Sequence, residues 1–193
     1  NMNASNPLKG ERKAGSVGKA LKGTSIRITS IGENNLSEIN EPGMIEIKGP
    51  NVFTGYLNKP EKTKEAFTDD EYFITGDMGY FDKEGYLFIS GRNKDLIISG
   101  GYNLYPKEIE DIINQFDGII ESAVFGLSDD DLGEIPTAAI VANENNFNLD
   151  DLKKFIQENL ARYKVPKKYF LISELPRNVM GKVQKNILKD QYS

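Results

Sequence analysis

The hydrophobic period of this chain changes near residue 91, and that change limits what it can fold into. Up to about residue 90 the apolar residues alternate in short runs, as in Ser25–Ile31 (Ile26, Ile28 and Ile31 against Arg27 and Thr29) and in Met44–Lys48. That spacing matches half-buried strands. Beyond it, Ile109, Ile112, Ile113 and Phe116 recur at i, i+3, i+4, i+7, the stripe of an amphipathic helix. A helical bundle has no use for the first pattern, and an all-β sandwich has none for the second. The expected class is α+β, strands alone and then strand–helix alternation.

Turn chemistry divides the first part. Glu41-Pro42-Gly43 is punctuation, and Lys83-Glu84-Gly85 joins Met78–Phe81 to Tyr86–Ser90 as a hairpin. Pro60–Phe67 reads as one short helix with proline in its first turn. In the second part Pro106 starts a helix, and Ile119–Leu127 and Pro136–Ala142 are strand-like. Asn148 suits the N-cap of a helix over Leu149–Ala161, with Asp150 and Asp151 near its positive end. The buried stripe of that helix is Leu149, Leu152, Phe155, Ile156 and Leu160. Tyr169–Ile172 is a third short strand and Val183–Gln191 a last helix. There is no internal repeat or low-complexity tract.

Composition removes whole classes of chemistry. With no cysteine and no histidine in 193 residues, disulfides, thiolate nucleophiles, Ser-His or Cys-His catalysis and histidine metal sites are excluded. A net charge of −5 argues against non-specific nucleic-acid binding, which needs a dense basic surface. No apolar run approaches the roughly 20 residues of a membrane span, and no signal peptide is recognisable, so a cytoplasmic soluble protein is expected. The remaining chemistry must come from lysine, arginine, carboxylates, hydroxyls and backbone amides.

Three segments offer such chemistry. Tyr72–Asp77 ends a strand-like run on Gly76-Asp77, a carboxylate able to accept from both hydroxyls of a ribose with glycine leaving space for the sugar. Taken alone, a turn accounts for it better. Gly91–Gly101 holds Arg92, Lys94 and Asp95 ahead of Ser99-Gly100-Gly101; it fits oxygen-rich ligands, or equally a charged linker and a hairpin turn. Lys182, behind Gly181 on a loop begun by Pro176, could be carried into a site as a compact positive charge, the kind that phosphoryl and nucleotidyl transfer exploit. Arg162, Lys164, Lys167 and Lys168 read best as a solvated basic stretch. Gly15–Ala20 lacks the spacing and hydroxyl of a Walker loop, and Asp129-Asp130-Asp131 lacks calcium-loop spacing and reads as an exposed turn.

In this order the segments resemble the adenylate-forming superfamily of acyl-CoA synthetases, luciferases and peptide-synthetase adenylation domains, most nearly its malonyl- and methylmalonyl-CoA synthetases. The resemblance covers essentially the whole chain: Asn1–Pro7, Ala14–Gly18 with Leu21-Lys22-Gly23, Lys94–Glu110 and Leu175–Lys185. It implies a distorted β-barrel subdomain over 1–91, the end of a larger adenylation domain, and a mobile α+β lid domain over 92–193. The lid is expected to hold a three-stranded sheet, helices and a β-hairpin.

Position by position, the resemblance makes Asp77 the ribose-binding aspartate and Arg92 the arginine that closes on ribose and phosphate. Lys94 falls at the hinge about which the lid rotates between half-reactions, and Lys182 at the catalytic lysine of adenylation, which also touches ATP. Ser99, Gly100 and Gly101 are implied at the coenzyme A pantetheine tunnel. The substrates would be ATP, coenzyme A and a small carboxylate, with Mg2+ held by residues of a missing N-terminal part. Departures exist: Lys22 replaces a usual proline, Ile98 stands where luciferases carry a second lysine, and Asn103 where acetyl-CoA synthetases place an arginine. The expectation is the C-terminal part of an AMP-forming acyl-CoA synthetase, inactive in isolation. The rivals are an adenylation domain that loads a carrier protein and a non-catalytic interaction module.

Overall fold

The computed structural model describes residues 2–31, 35–143 and 147–193, and they form two compact units, Asn1–Lys94 and Asp95–Ser193. The first holds strands β1 (Ala4–Ser5), β2 (Ser16–Ala20), β3 (Ser25–Thr29), β4 (Gly43–Lys48), β5 (Phe73–Phe81) and β6 (Leu87–Arg92), with one helix, α1 (Pro60–Ala66). The strands make a single antiparallel sheet in the order β1-β2-β6-β5-β4-β3. Alternation in β3 and β4 sends Ile28, Ile45 and Ile47 into a core shared with Leu87. Each such side chain removed from water contributes about 1.5–3 kcal/mol. The β5–β6 turn is set by Asp82, whose Oδ1 accepts from the backbone of Glu84 and Tyr86, both at 2.9 Å. That is the local reason the expected hairpin forms.

On the polar side of this sheet, Arg27 and Glu46 stand opposite each other on β3 and β4 and pair at 2.6 Å. Glu46 is only 6% exposed, and its second oxygen accepts from Thr29 Oγ1 at 3.0 Å. The Arg27 guanidinium also forks onto Asp70 at 2.5 and 2.9 Å and lies over the Tyr72 ring. One arginine thus ties β3, β4 and the turn before β5 together.

The second unit contains β7 (Ile97–Ser99), β8 (Tyr102–Leu104), α2 (Pro106–Ile113), β9 (Ile119–Asp129), β10 (Gly133–Ala142), α3 (Leu149–Asn159), β11 (Lys168–Leu171) and α4 (Lys185–Tyr192). β9 and β10 form a long antiparallel ladder, and β11 adds parallel to β10 after the α3 crossover. Side chains alternate between two cores. Val124, Ala138 and Ile140 meet Ile109 and Ile113 of α2 and Leu152 and Ile156 of α3. Ala123, Phe125, Ala139 and Val141 form the other cluster with Leu175 and with Leu188 of α4. Strands covered on both faces read as continuous apolar runs, which is how these appear in the sequence.

Asn148 caps α3 as expected, accepting from the backbone of Asp150 and Asp151 at 2.9 and 3.1 Å. Two expectations shift. α4 starts at Lys185 rather than Val183, because Arg177 and Val183 form an antiparallel bridge. The β7–β8 hairpin is not separate from the three longer strands: Ser99 pairs with Gly133 of β10, making a five-stranded sheet. Among the described residues no helix is long and apolar enough to cross a membrane.

The Arg27 network carries a pH signature. Hydrogen bonds from Arg27 first, and from Thr68, hold the Asp70 carboxyl at about 2, below its ordinary 3.8. A depressed folded-state pKa contributes stability above the unfolded value and loses it as pH falls through the folded one. The gap in urea midpoint between the protein and its Asp70→Asn variant should therefore be full near about pH 5 and shrink toward about pH 2. A gap independent of pH would show that the Asp70 charge is not what the network uses.

Candidate functional site

Asp77 does not end a strand, contrary to the sequence expectation; it sits inside β5, which runs on to Phe81. The expectation treated Gly76-Asp77 as a stop, but the pair is a bulge. Met44 pairs with Met78 and Glu46 with Ile74, so Thr75, Gly76 and Asp77 together face Ile45 alone. Thr75 Oγ1 donates to Ile45 O at 2.8 Å and accepts from Asp77 N at 3.0 Å, which closes the bulge. Gly76 takes φ +75°, and a Cβ there would meet nothing within 4 Å. The backbone conformation needs the glycine, and the space beside Asp77 stays open.

On the neighbouring strand a second irregularity, between Met78 and Gly79 in the β5–β6 register, brings Arg92 directly opposite Asp77. Arg92 Nε lies 3.5 Å from Asp77 Oδ1, with the two side chains 50% and 39% exposed. Asp77 and Arg92, well separated in sequence, are thus made an ion pair by strand register. Asp77 and Thr75 also reach the rim of a cavity of about 240 Å³ floored by apolar side chains of the same sheet, Ile45, Ile47, Leu87 and Ile89 among them. Lys94 is exposed in a single 3-10 turn, Asn93–Asp95, and is the last residue of the first unit.

The other predicted residues belong to the second unit. Gly100 and Gly101 are the two-residue turn of the β7–β8 hairpin, with φ +55° and +83° between paired Ser99 and Tyr102. Left-handed backbone at both central positions is what a tight hairpin of this hand requires. Ser99 is 7% exposed, and Gly100 N donates to Leu132 O at 2.9 Å, so the turn is fastened to the β9–β10 end.

Lys182 lies not on a plain loop but on a small hairpin. Gln184 N donates to Pro176 O at 2.8 Å, Asn178 N to Lys182 O at 2.9 Å, and Gly181 N to Asn178 O at 2.8 Å. Asn178 Oδ1 accepts from the backbone of Met180 and Lys182, each at 3.0 Å. Core residues Leu175 and Leu188 flank the hairpin, and Lys185 pairs with Glu110 at 2.6 Å. The Lys182 side chain itself is exposed and makes no ion pair among the described residues. An exposed ammonium on a hydrogen-bonded turn is free to meet an external anion.

In the first unit, the carboxylate and guanidinium of Asp77 and Arg92 are groups that can bind hydroxyl and phosphate oxygens. Residues 108–182 match the AMP-binding enzyme C-terminal domain. These residues carry the C-terminal domain of AMP-binding enzymes. It is 44% identical over 181 residues to the 2-succinylbenzoate–CoA ligase of Listeria monocytogenes, covering 94% of this chain and 36% of that protein. It is 41% identical over 200 residues to the malonate–CoA ligase of Arabidopsis thaliana, covering 97% of this chain and 32% of that one. The crystal structure of ATP-bound MatB from Rhodopseudomonas palustris matches with a TM-score of 0.93 and 48% identity, over 100% of this chain and 38% of that chain. The chain thus spans about a third of the relatives it matches, and it aligns with acyl-CoA ligases as their C-terminal part.

Sequence reading missed the groups that support these residues. Tyr102 stacks on Tyr163 at 4.6 Å, Lys164 pairs with Glu108 at 2.5 Å, and Arg177 joins Glu121 to Gly181. The Tyr102–Tyr163, Lys164–Glu108 and Arg177–Glu121 contacts have no local signal, because their partners are distant in sequence. Lys164, read as solvated, is in fact paired. Asp129 of the acidic triplet accepts from the backbone of Asp131 and Leu132 and shapes the β9–β10 turn.

The Asp77–Arg92 pair is exposed enough that its contribution to stability should be small. A double-mutant cycle with Asp77→Ala and Arg92→Ala, read by urea unfolding, should give a coupling below about 1 kcal/mol. A coupling several times larger would identify the pair as a strut of the sheet rather than a ligand-facing pair.

Proposed function

We propose that this chain is the C-terminal portion of an ATP-dependent, AMP-forming acyl-CoA ligase. Its last barrel-like subdomain would cover residues 1–91 and its rotating lid 92–193. The observation that carries the reading is the cross-strand placement of Arg92 opposite Asp77 beside the open space at Gly76. The Asp77 carboxylate has two acceptor oxygens for the ribose hydroxyls of ATP, and Arg92 has donors for ribose and phosphate oxygens.

In the first half-reaction the substrate carboxylate attacks the α-phosphorus of ATP. A carbon–oxygen–phosphorus link forms, the α–β phosphoanhydride bond breaks, and pyrophosphate leaves. Lys182 supplies positive charge where negative charge builds on the phosphoryl oxygens. Lys94 is the pivot for the change of state. In the second half-reaction the thiol of coenzyme A adds to the acyl carbonyl and AMP departs, with Ser99, Gly100 and Gly101 lining the path of the pantetheine arm. A turn of two glycines lets that arm approach the backbone closely. The Mg2+ that accompanies ATP is assigned to residues outside this chain. It would supply charge neutralisation at the phosphates.

We assign the acid to the malonyl or methylmalonyl class. The 48% identity to MatB and the likeness to a malonate–CoA ligase support this. Relatives named as CoA ligases favour coenzyme A over a carrier protein as acceptor.

In the full-length protein, Lys182→Ala should abolish ATP–pyrophosphate exchange by at least about 100-fold while ATP binding by calorimetry persists. Unchanged exchange would sink the role of Lys182. The 193-residue chain alone should form no detectable acyl-CoA from ATP, coenzyme A and malonate; measurable product would overturn the division of labour proposed here.

A further inference from the structure

We infer that Arg177 is a positioning residue for adenylation, which aims the Lys182 hairpin by clamping it to strand β9. The inference rests on the role proposed for Lys182. The Arg177 guanidinium works in two directions: Nη1 donates to Gly181 O at 2.8 Å, and Nη2 makes an ion pair with Glu121 of β9. Gly181 is the residue immediately before Lys182. The clamp therefore reaches the backbone at the base of the lysine side chain without touching the ammonium.

The internal geometry of the hairpin does not need this clamp. Asn178 organises the turn through its backbone bonds to Lys182 and Gly181 and its side-chain bonds to Met180 and Lys182. Arg177 adds a tie between that preformed turn and the sheet. The tip beyond it has no such hold, with Val179 and Met180 fully or largely exposed. Because Glu121 belongs to the β9–β10 ladder, where it pairs with Val141, anchoring there ties the base of Lys182 to the sheet. A planar fork with donors on separate edges can hold a carboxylate and a carbonyl at once, and a lysine ammonium on its flexible stem is poorer at doing so. Arg177 and Glu121 are 43% and 30% exposed, where an ion pair contributes little to stability. Loss of the pair should alter aim more than folding.

The test uses the full-length ligase, with malonate, ATP and labelled pyrophosphate for the exchange assay. Arg177→Ala should lower kcat for exchange by about 10- to 100-fold, the scale of a small misplacement of a reacting group, with KM for ATP within about twofold. Thioester formation from a supplied acyl-adenylate and coenzyme A should stay within about twofold, because Lys182 serves only the first half-reaction. Glu121→Gln should share the pattern in milder form, and the double variant should be no worse than Arg177→Ala, since the two act as one unit. Arg177→Lys should recover part of the rate.

Equal loss in both half-reactions would mean that Arg177 is merely structural, and unchanged exchange would mean that it does nothing; either overturns the clamp. Fully multiplicative losses for Arg177→Ala and Glu121→Gln would overturn it too. If Lys182→Ala leaves exchange intact, the role of Lys182 falls and the clamp falls with it. An inert Arg177→Ala beside a damaging Lys182→Ala removes the clamp alone.

Discussion

The two-sided burial of the β9–β10 ladder is the constraint on which the second unit depends. Ala138 and Ile140 face α2 and α3, while Ala139 and Val141, one residue along, face Leu175 and α4. A slip of one residue in this ladder would exchange the two cores, so the register is held strongly. The candidate functional groups of this unit are attached to that ladder: the Gly100-Gly101 turn through the Ser99–Gly133 pair and the Leu132 carbonyl, and the Lys182 hairpin through Glu121. A site built on stiff strands and presented on short turns can be placed accurately while its ends stay accessible.

The first unit uses the opposite device. Where the β4–β5 and β5–β6 ladders lose their regular register, Asp77 and Arg92 are turned toward each other and toward open space. A regular sheet would have placed residue 77 by the simple alternation of its neighbours. Bulges re-aim side chains without interrupting the strand, and here one closed by Thr75 does so at the cost of a left-handed glycine. The Glu46–Arg27–Asp70 network holds the adjoining part of the same sheet.

Relatives named for different acids, 2-succinylbenzoate and malonate, resemble this chain to nearly the same degree, 44% and 41%. On the proposed reading this follows from a division of chemistry. Ribose, phosphate and pantetheine are common to all such ligases, and the residues proposed here are assigned to those groups and not to the acid.

Much was legible where the cause was local. The Asn148 cap, the Leu152–Ile156 stripe, the turn at Lys83-Glu84-Gly85 and the Gly100-Gly101 hairpin each depend on residues within a few positions of one another. The seven site residues stood in the sequence too, named by resemblance to a family. What the sequence did not contain was pairing across distance: that β5 runs through Asp77, that β7–β8 joins the main sheet, that Val183 bridges Arg177 and delays α4, that Glu121 receives Arg177. Periodicity reports which side of an element is apolar, and turn residues report where the chain reverses. By themselves they determined that this protein would be strands followed by strand–helix alternation. Only the tertiary structure decided which groups meet, because register, bulges and long-range ion pairs are settled by the packing of segments that share no local code.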